Sequence, residues 1–168
     1  DVAKTSNGFR IVGWDGDASG PGRRAFYWDP TPHFMGGYNM GYPDGECNGL
    51  NSDGSTLVGG STGALFSWTD TGGMNWFNTT YLNSASYAKD ISDNGIIVGY
   101  VSPVVGNFQA FIKRPEWTDI LLLQNYLVDS LGITEASDWL RSFANSISAD
   151  GSVIAGTAYP ISGGPIAY

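Results

Sequence analysis

Short apolar runs separated by turn formers recur along this chain, and four of them share one phrase. The stretches "SNGFRIVGW" (6–14), "LNSDGSTLVGG" (50–60), "ISDNGIIVGY" (91–100) and "ISADGSVIAGT" (147–157) each set two apolar residues directly before a glycine. Aligned on that glycine, Gly13, Gly59, Gly99 and Gly156 coincide, and Asn7, Asp53, Asp93 and Asp150 stand at a common distance upstream. The polar centre of each phrase predicts a tight hairpin turn, because Asn-Gly, Asp-Gly and Asp-Asn-Gly supply positive φ angles at little steric cost. The apolar pairs beside it do not alternate with polar residues, which predicts strands covered on both faces.

A further apolar element follows each glycine: "RRAFYW" (23–28), "GALFSW" (63–68), "FQAFIK" (108–113) and "PIAY" (165–168). Each carries an aromatic residue in register, Phe26, Phe66, Phe111 and Tyr168, and Trp28 and Trp68 add a ring on the same strand face. These segments predict a third strand, and "HFMGG" (33–37) and "GGMNWF" (72–77) can start a fourth in the first two units. Units beginning near Val2, Leu50, Ile91 and Ile147 recur at spacings of about 40–55 residues, the range of propeller-like arrays whose units shield one another. One helix is expected within "TDILLLQNYLVDSLG" (118–132), where Ile120, Leu123, Leu127 and Leu131 fall at helical spacing and Gly132 is a stop. The predicted fold is all-β: one domain over 1–168, a propeller-like array of four small antiparallel sheets with one inserted helix.

Composition agrees with that reading. The 24 glycines, 8 prolines and 14% aromatic residues, beside only 14% charged residues, fit short strands joined by turns better than a helical bundle. A net charge of −8 disfavours a nucleic-acid partner and an anionic membrane surface, since the few cations are not clustered. No run approaches the roughly 20 apolar residues that span a bilayer, so membrane insertion is not expected, and no basic-then-apolar secretion signal stands at the N-terminus. A sole cysteine, Cys47, excludes an internal disulfide and a thiolate zinc cluster and reads as a small buried residue. Asn78-Thr79-Thr80 forms a glycosylation sequon.

The recurrent "ISADGSVIAG" and "AF-x-W" elements resemble the HAF-repeat family of bacterial extracellular repeat proteins. The resemblance covers most of the chain and is strongest over 121–168, where "LQNYLVDSLGI", "DWLRSFANSISADGSVIAG" and "SGGPIAY" look like that family's last repeat. It implies a secreted or surface-displayed, β-propeller-like protein, and it carries over no catalytic residues. Two departures stand out: Lys4 and Thr5 crowd the first unit, and the last unit stops at Tyr168 before the downstream strand of the others. The expected consequence is an open sheet edge. Further residues, the strand near Asp1 or a neighbouring molecule would cover it, the last giving a filament if the contact ran head to tail.

Candidate chemistry is sparse. Asp15, Asp17 and Ser19 in "DGDASG" resemble the opening of a Ca²⁺ loop, although Phe26 stands where such a loop has its Glu; a solvated turn is the competing reading, and no other cofactor is expected. His33, the sole histidine, follows "DPTP". Asp90 with Asp93, or Glu116 with Asp119, could pair as glycosidase carboxylates, yet a turn already accounts for Asp93. Trp28 and Trp68 recur in register and read as packing between units, whereas Tyr38, Tyr42 and Trp76 lie in less regular segments and are the candidates for a ligand-binding surface. The expected role is non-catalytic: an extracellular or cell-surface structural or adhesive protein, partnered by copies of itself, surface proteins or glycans. The alternatives are a carbohydrate-binding module and a propeller-type glycoside hydrolase.

Overall fold

The computed structural model describes residues 1–16, 23–35, 45–61, 64–77 and 86–168. It is built from four antiparallel leaflets laid down in chain order. The first holds β1 (Val2–Thr5), β2 (Gly8–Gly16), β3 (Arg23–Trp28) and β4 (Pro32–Phe34). The second holds β5 (Gly45–Leu50), β6 (Thr56–Ser61), β7 (Ala64–Thr69) and β8 (Gly73–Phe77). The third holds β9 (Tyr87–Ile91), β10 (Ile97–Val104), β11 (Asn107–Lys113) and β12 (Leu121–Leu122). The fourth has three strands, β13 (Trp139–Ile147), β14 (Ile154–Pro160) and β15 (Ile166–Ala167). Each recurring phrase is therefore the first hairpin of a leaflet, and the strand before each turn begins upstream of the point the phrase marks.

One geometry recurs at the aligned glycines. The first strand of leaflets two, three and four carries an extra residue, Asn48, Lys89 and Asn145, where the register shifts against the second strand. That bulge turns a main-chain carbonyl toward the glycine opposite, while the aromatic ring of the third strand covers it. A Cβ on Gly59, Gly99 or Gly156 would overlap the carbonyl oxygen of Glu46, Tyr87 or Phe143, and would also press on Phe66, Phe111 or Tyr168. Beside each glycine sits a small buried residue, Cys47, Ala88 and Ala144. Cys47 thus fills a position that alanine takes elsewhere. Burial pushes its thiol well above the ordinary range. A Cβ on Gly13 would meet the Phe26 ring at 3.4 Å.

Strand periodicity then assigns the two faces of every leaflet. The residue two before the glycine and the third-strand ring face the preceding leaflet, and the residue just before the glycine faces the following one. Leu57 and Phe66 pack with Val12 and Ala25 of leaflet one. Ile97 and Phe111 pack with Val58 and Leu65 of leaflet two. Ile154 and Tyr168 pack with Val98 and Ala110 of leaflet three. This double duty explains the unbroken apolar runs, since β6 and β10 are covered on both sides.

The turns form a second seam. Hydrogen bonds close 51–54, 92–95 and 148–151, with Gly54, Gly95 and Gly151 at φ +71, +81 and +74. The loop of the third leaflet, 92–96, is one residue shorter than 51–56 and 148–153, so Asn94, and not Asp93, takes the place of Asp53 and Asp150. Asp93 is set one position earlier and reaches the preceding leaflet, accepting from the Ser52 N–H at 2.8 Å and its hydroxyl at 2.7 Å. On its other side the Asp93 N–H donates to the Ala149 carbonyl at 2.8 Å, and Asn94 Nδ2 to the Asp150 carbonyl at 3.0 Å. Asp93 thus stands within its turn, one position earlier than Asp53 and Asp150 in theirs, and its side chain ties leaflets together.

Asp150 does act inside its own turn. Hydrogen bonds from the Ser148 hydroxyl, then from the Ser152 N–H and hydroxyl, hold its carboxyl at about 2. Because the folded value is depressed, the turn's contribution to stability is complete above the ordinary carboxyl range and is lost as pH falls through about 2. A carboxyl-carbon NMR titration is expected to show the Asp150 midpoint near that value. A midpoint at the ordinary value of 3.8 would mean that these bonds do not persist in solution.

The predicted helix is present but shortened. Its helical part covers only Leu123–Asn125, designated α1, and the wider turn Tyr126–Ser130. Residues 121–122 instead form β12, pairing with Phe111 and Ile112 and satisfying the outer edge of β11. Gly132 ends the segment at φ +70, with its N–H on the Val128 carbonyl and that of Ile133 on the Leu127 carbonyl.

Candidate functional site

The second, third and fourth leaflets each pack one face on the leaflet before them; the corresponding face of the first has no such packing among the described residues. Strand register places Val2, Phe9, Ile11, Phe26, Trp28 and Phe34 on its outward face. Ile11 is 44% exposed, Trp28 45% and Phe34 51%, whereas Leu57 and Ile97, at the place of Ile11 in the next two leaflets, are 0% and 5% exposed. A contiguous aromatic and aliphatic face of this kind marks an interaction surface more often than scattered apolar residues do.

A groove of about 270 Å³ crosses this face, lined by Trp14, Asp15, Phe26, Trp28, Pro32 and Phe34. Phe26 and Phe34 meet edge to face with centroids 6.5 Å apart. A cation stands at one end: the Arg24 guanidinium lies 4.3 Å from the Phe34 ring centre and pairs with Asp15 at 2.9 Å, while Arg23, on the side of the second leaflet by register, lies 4.4 Å from Trp14. Arg23 also pairs with Glu46 of the second leaflet. The site is therefore apolar at its centre and charged at one rim, the layout of a docking patch.

A second hollow, of about 330 Å³, lies where the first strands of all four leaflets converge, bordered by Asp1, Lys4, Asn51, Asp90 and Ile147 among others. Its carboxylates are engaged in construction. Asp1 Oδ1 accepts the Val2 N–H at 2.8 Å and its Oδ2 the Leu50 N–H at 3.4 Å. Asp90 accepts its neighbour Ile91 through Oδ1, and the Ser146 hydroxyl and Ile147 N–H through Oδ2, each at 2.8 Å. Asp90 thus reaches forward to leaflet four while Asp93 reaches back to leaflet two. Two carboxylates aimed at opposite neighbours do not flank one scissile bond.

The other sequence candidates are placed as follows. Trp76 is partly buried and packs edge-on against Phe66 at 5.4 Å, inside the junction of the first two leaflets. Trp68 packs against Tyr27 at 4.8 Å in that junction, whereas Trp28 lies on the opposite face of the first leaflet and is 45% exposed. His33 stacks on Tyr27 at 4.6 Å. Asp15 is engaged with Arg24, and Tyr38, Tyr42, Asp17, Ser19 and the sequon fall outside the described residues. Among the described residues no three metal-ligating side chains gather, and no helix is long and apolar enough to cross a membrane. Sequence reasoning missed Phe34 and Ile11 as surface residues; nothing local separates Ile11 from the buried Leu57 or Ile97.

No family model matches the chain, and no curated protein matches it. Solved structures do. TolB from Acinetobacter baumannii superposes with a TM-score of 0.62 at 13% identity, over 99% of this chain and 39% of that one. A protein assigned as TolB from Agrobacterium tumefaciens gives 0.59 at 14% identity, over 95% of this chain and 54% of that one. The chain thus spans about half the length of these proteins or less, and at such identities the likeness establishes a shared fold.

Proposed function

We propose that this chain is a non-catalytic structural or adhesive repeat domain of the cell surface or exterior, working through the aromatic face of its first leaflet. The stacking of four leaflets through apolar faces carries the reading, since Phe66, Phe111 and Tyr168 and the aliphatic residues around them serve to hold that array together. Two further observations support it. One of the two candidate carboxylate pairs for hydrolysis, Asp90 with Asp93, is committed to main-chain and hydroxyl donors between leaflets. The HAF-repeat resemblance, carried by the phrases around Gly99 and Gly156, supports an extracellular location.

Retention on cell-envelope fragments tests the proposal. The chain labelled with a fluorophore is expected to bind isolated bacterial envelopes, and Trp28→Asp with Phe34→Asp together to abolish that binding. Retention unaffected by the double substitution would overturn the assignment of the face, and turnover of a glycoside would overturn the non-catalytic reading. A second reading, a carbohydrate-binding module, is favoured by the groove between Trp14 and Trp28, because flat rings stack on the apolar faces of sugars. Saturable binding of one glycan on an array, lost on Trp28→Ala, would select it.

A further inference from the structure

We infer that leaflets two and three are sealed into one rigid body, and that the junction between leaflets three and four is a joint whose opening widens the hollow where the first strands converge.

Two positions in each leaflet decide how near the next one comes. The first lies in the opening strand, across from the residue before the aligned glycine: Asp1 across from Val12, Gly49 from Val58, Asp90 from Val98 and Ser146 from Ala155. The second directly follows that glycine: Trp14, Gly60, Tyr100 and Thr157. Leaflet two alone has glycine at both.

Those two glycines lie against the main chain of the third leaflet's first strand. A Cβ on Gly49 would stand 2.7 Å from the Lys89 carbonyl oxygen and 2.8 Å from Asp90 Cα. One on Gly60 would overlap the Ser86 carbonyl oxygen and stand 2.9 Å from Tyr87 Cα. Asn48 Nδ2 donates to the Ala88 carbonyl at 3.1 Å, and Ser52 closes the end of the seam on Asp93. With no side chain between the two main chains, neither leaflet shifts unless the backbone of the other moves, and close-packed contacts of that kind are discrete, not continuously deformable.

At the next junction the same two places hold Asp90 and Tyr100, and side chains make the contact. Asp90 accepts from the Ser146 hydroxyl and the Ile147 N–H, each at 2.8 Å, and the Tyr100 ring meets Phe143 with centroids 5.1 Å apart. Ser142 Oγ accepts the Ala110 N–H at 3.0 Å. Beside the bond from Asp93 to Ala149 between the turns, leaflet four is thus held by side chains, which rotate far more readily than a backbone shifts. The first junction follows the same pattern, since Asp1 reaches the Leu50 N–H as Asp90 reaches that of Ile147. Asp90 and Ile91 border the hollow on one side of the joint, and Ile147 and Ala149 on the other, so opening the joint widens it.

Native-state hydrogen exchange, read at the slowest amides of β6, β10 and β14, tests both parts. In the wild type, β6 and β10 are expected to share one opening free energy and β14 to have a lower one. Asn48→Ala is expected to reduce protection in β6 and β10 by the same factor, about threefold to tenfold. Gly60→Ala should do so by about 30-fold or more if it folds. Asp90→Ala, and more weakly Ser146→Ala, are expected to reduce protection in β14 by about tenfold, while β6 and β10 stay within about twofold. Unequal losses in β6 and β10 on Asn48→Ala, or no loss in either, overturn the rigid body. Equal protection of all three strands in the wild type, or an Asp90→Ala variant that lowers all three alike or leaves β14 unchanged, overturns the joint.

Discussion

Gly99→Ala is expected to lower the unfolding free energy by about 3 kcal/mol or more, while Gly13→Ala costs less than about 1 kcal/mol. The two glycines align in sequence and both stand opposite a phenylalanine. Their surroundings differ. A methyl group on Gly99 would overlap the Tyr87 carbonyl oxygen and stand 2.9 Å from both Ala88 Cα and the Phe111 ring. Two of those are main-chain atoms of the bulged strand, which move only if the leaflet moves. At Gly13 a methyl would find the Phe26 ring at 3.4 Å, and that ring borders open space. Alanine also loses less backbone freedom on folding than glycine, which offsets part of any cost there. Urea denaturation of the two variants beside the wild type decides it. Equal losses would mean that the carbonyl–glycine contact is not what holds the leaflets in shape.

Arg10→Ala is expected to cost about 3–5 kcal/mol, the range for stranding one partner of a buried ion pair. Arg10 is 7% exposed. Its guanidinium donates to Asp29 at 3.0 Å, to Asp70 at 3.0 Å and to the Gly54 carbonyl at 2.9 Å, and lies over Tyr27 at 4.8 Å. It therefore links the first leaflet to the second turn and to the end of β7. The two carboxylates are unequal: the Asp29 side chain is 11% exposed and Asp70 56%. Asp70→Asn is accordingly expected to cost less than about 1 kcal/mol, since solvent screens that pair. Combining Arg10→Ala with Asp29→Asn should recover part of the loss, because the stranded charge goes with it. Strict additivity in that double-mutant cycle would refute the coupling.

Much of the architecture was legible because its signals are local. Asp-Gly and Asn-Gly turns, the apolar pair before each glycine and the aromatic residue after it identify leaflets without reference to anything distant. The errors are instructive for the same reason. Aligning on the last glycine equated Asp93 with Asp53 and Asp150, but a loop shorter by one residue moved that part to Asn94 and released Asp93 to bridge leaflets. Helical spacing over 118–132 was genuine, yet β11 had an edge to pair, and Leu121 and Leu122 pair with it. Trp28 and Trp68 look alike in sequence; one is packed on Tyr27 and the other faces outward.

What the sequence settled by itself is the unit: strand, tight turn, strand, ring-bearing strand, four times over. Turn chemistry and side-chain alternation act over a handful of residues and leave their mark in the order of the letters. What only the tertiary structure decided is which copies of that unit are covered, and hence that Ile11 and Trp28 form a surface, that Arg10 is buried, and that Cys47 does an alanine's work. Burial is imposed by a neighbouring leaflet some 40 residues or more away, so the same local phrase becomes core or contact face according to what is stacked upon it.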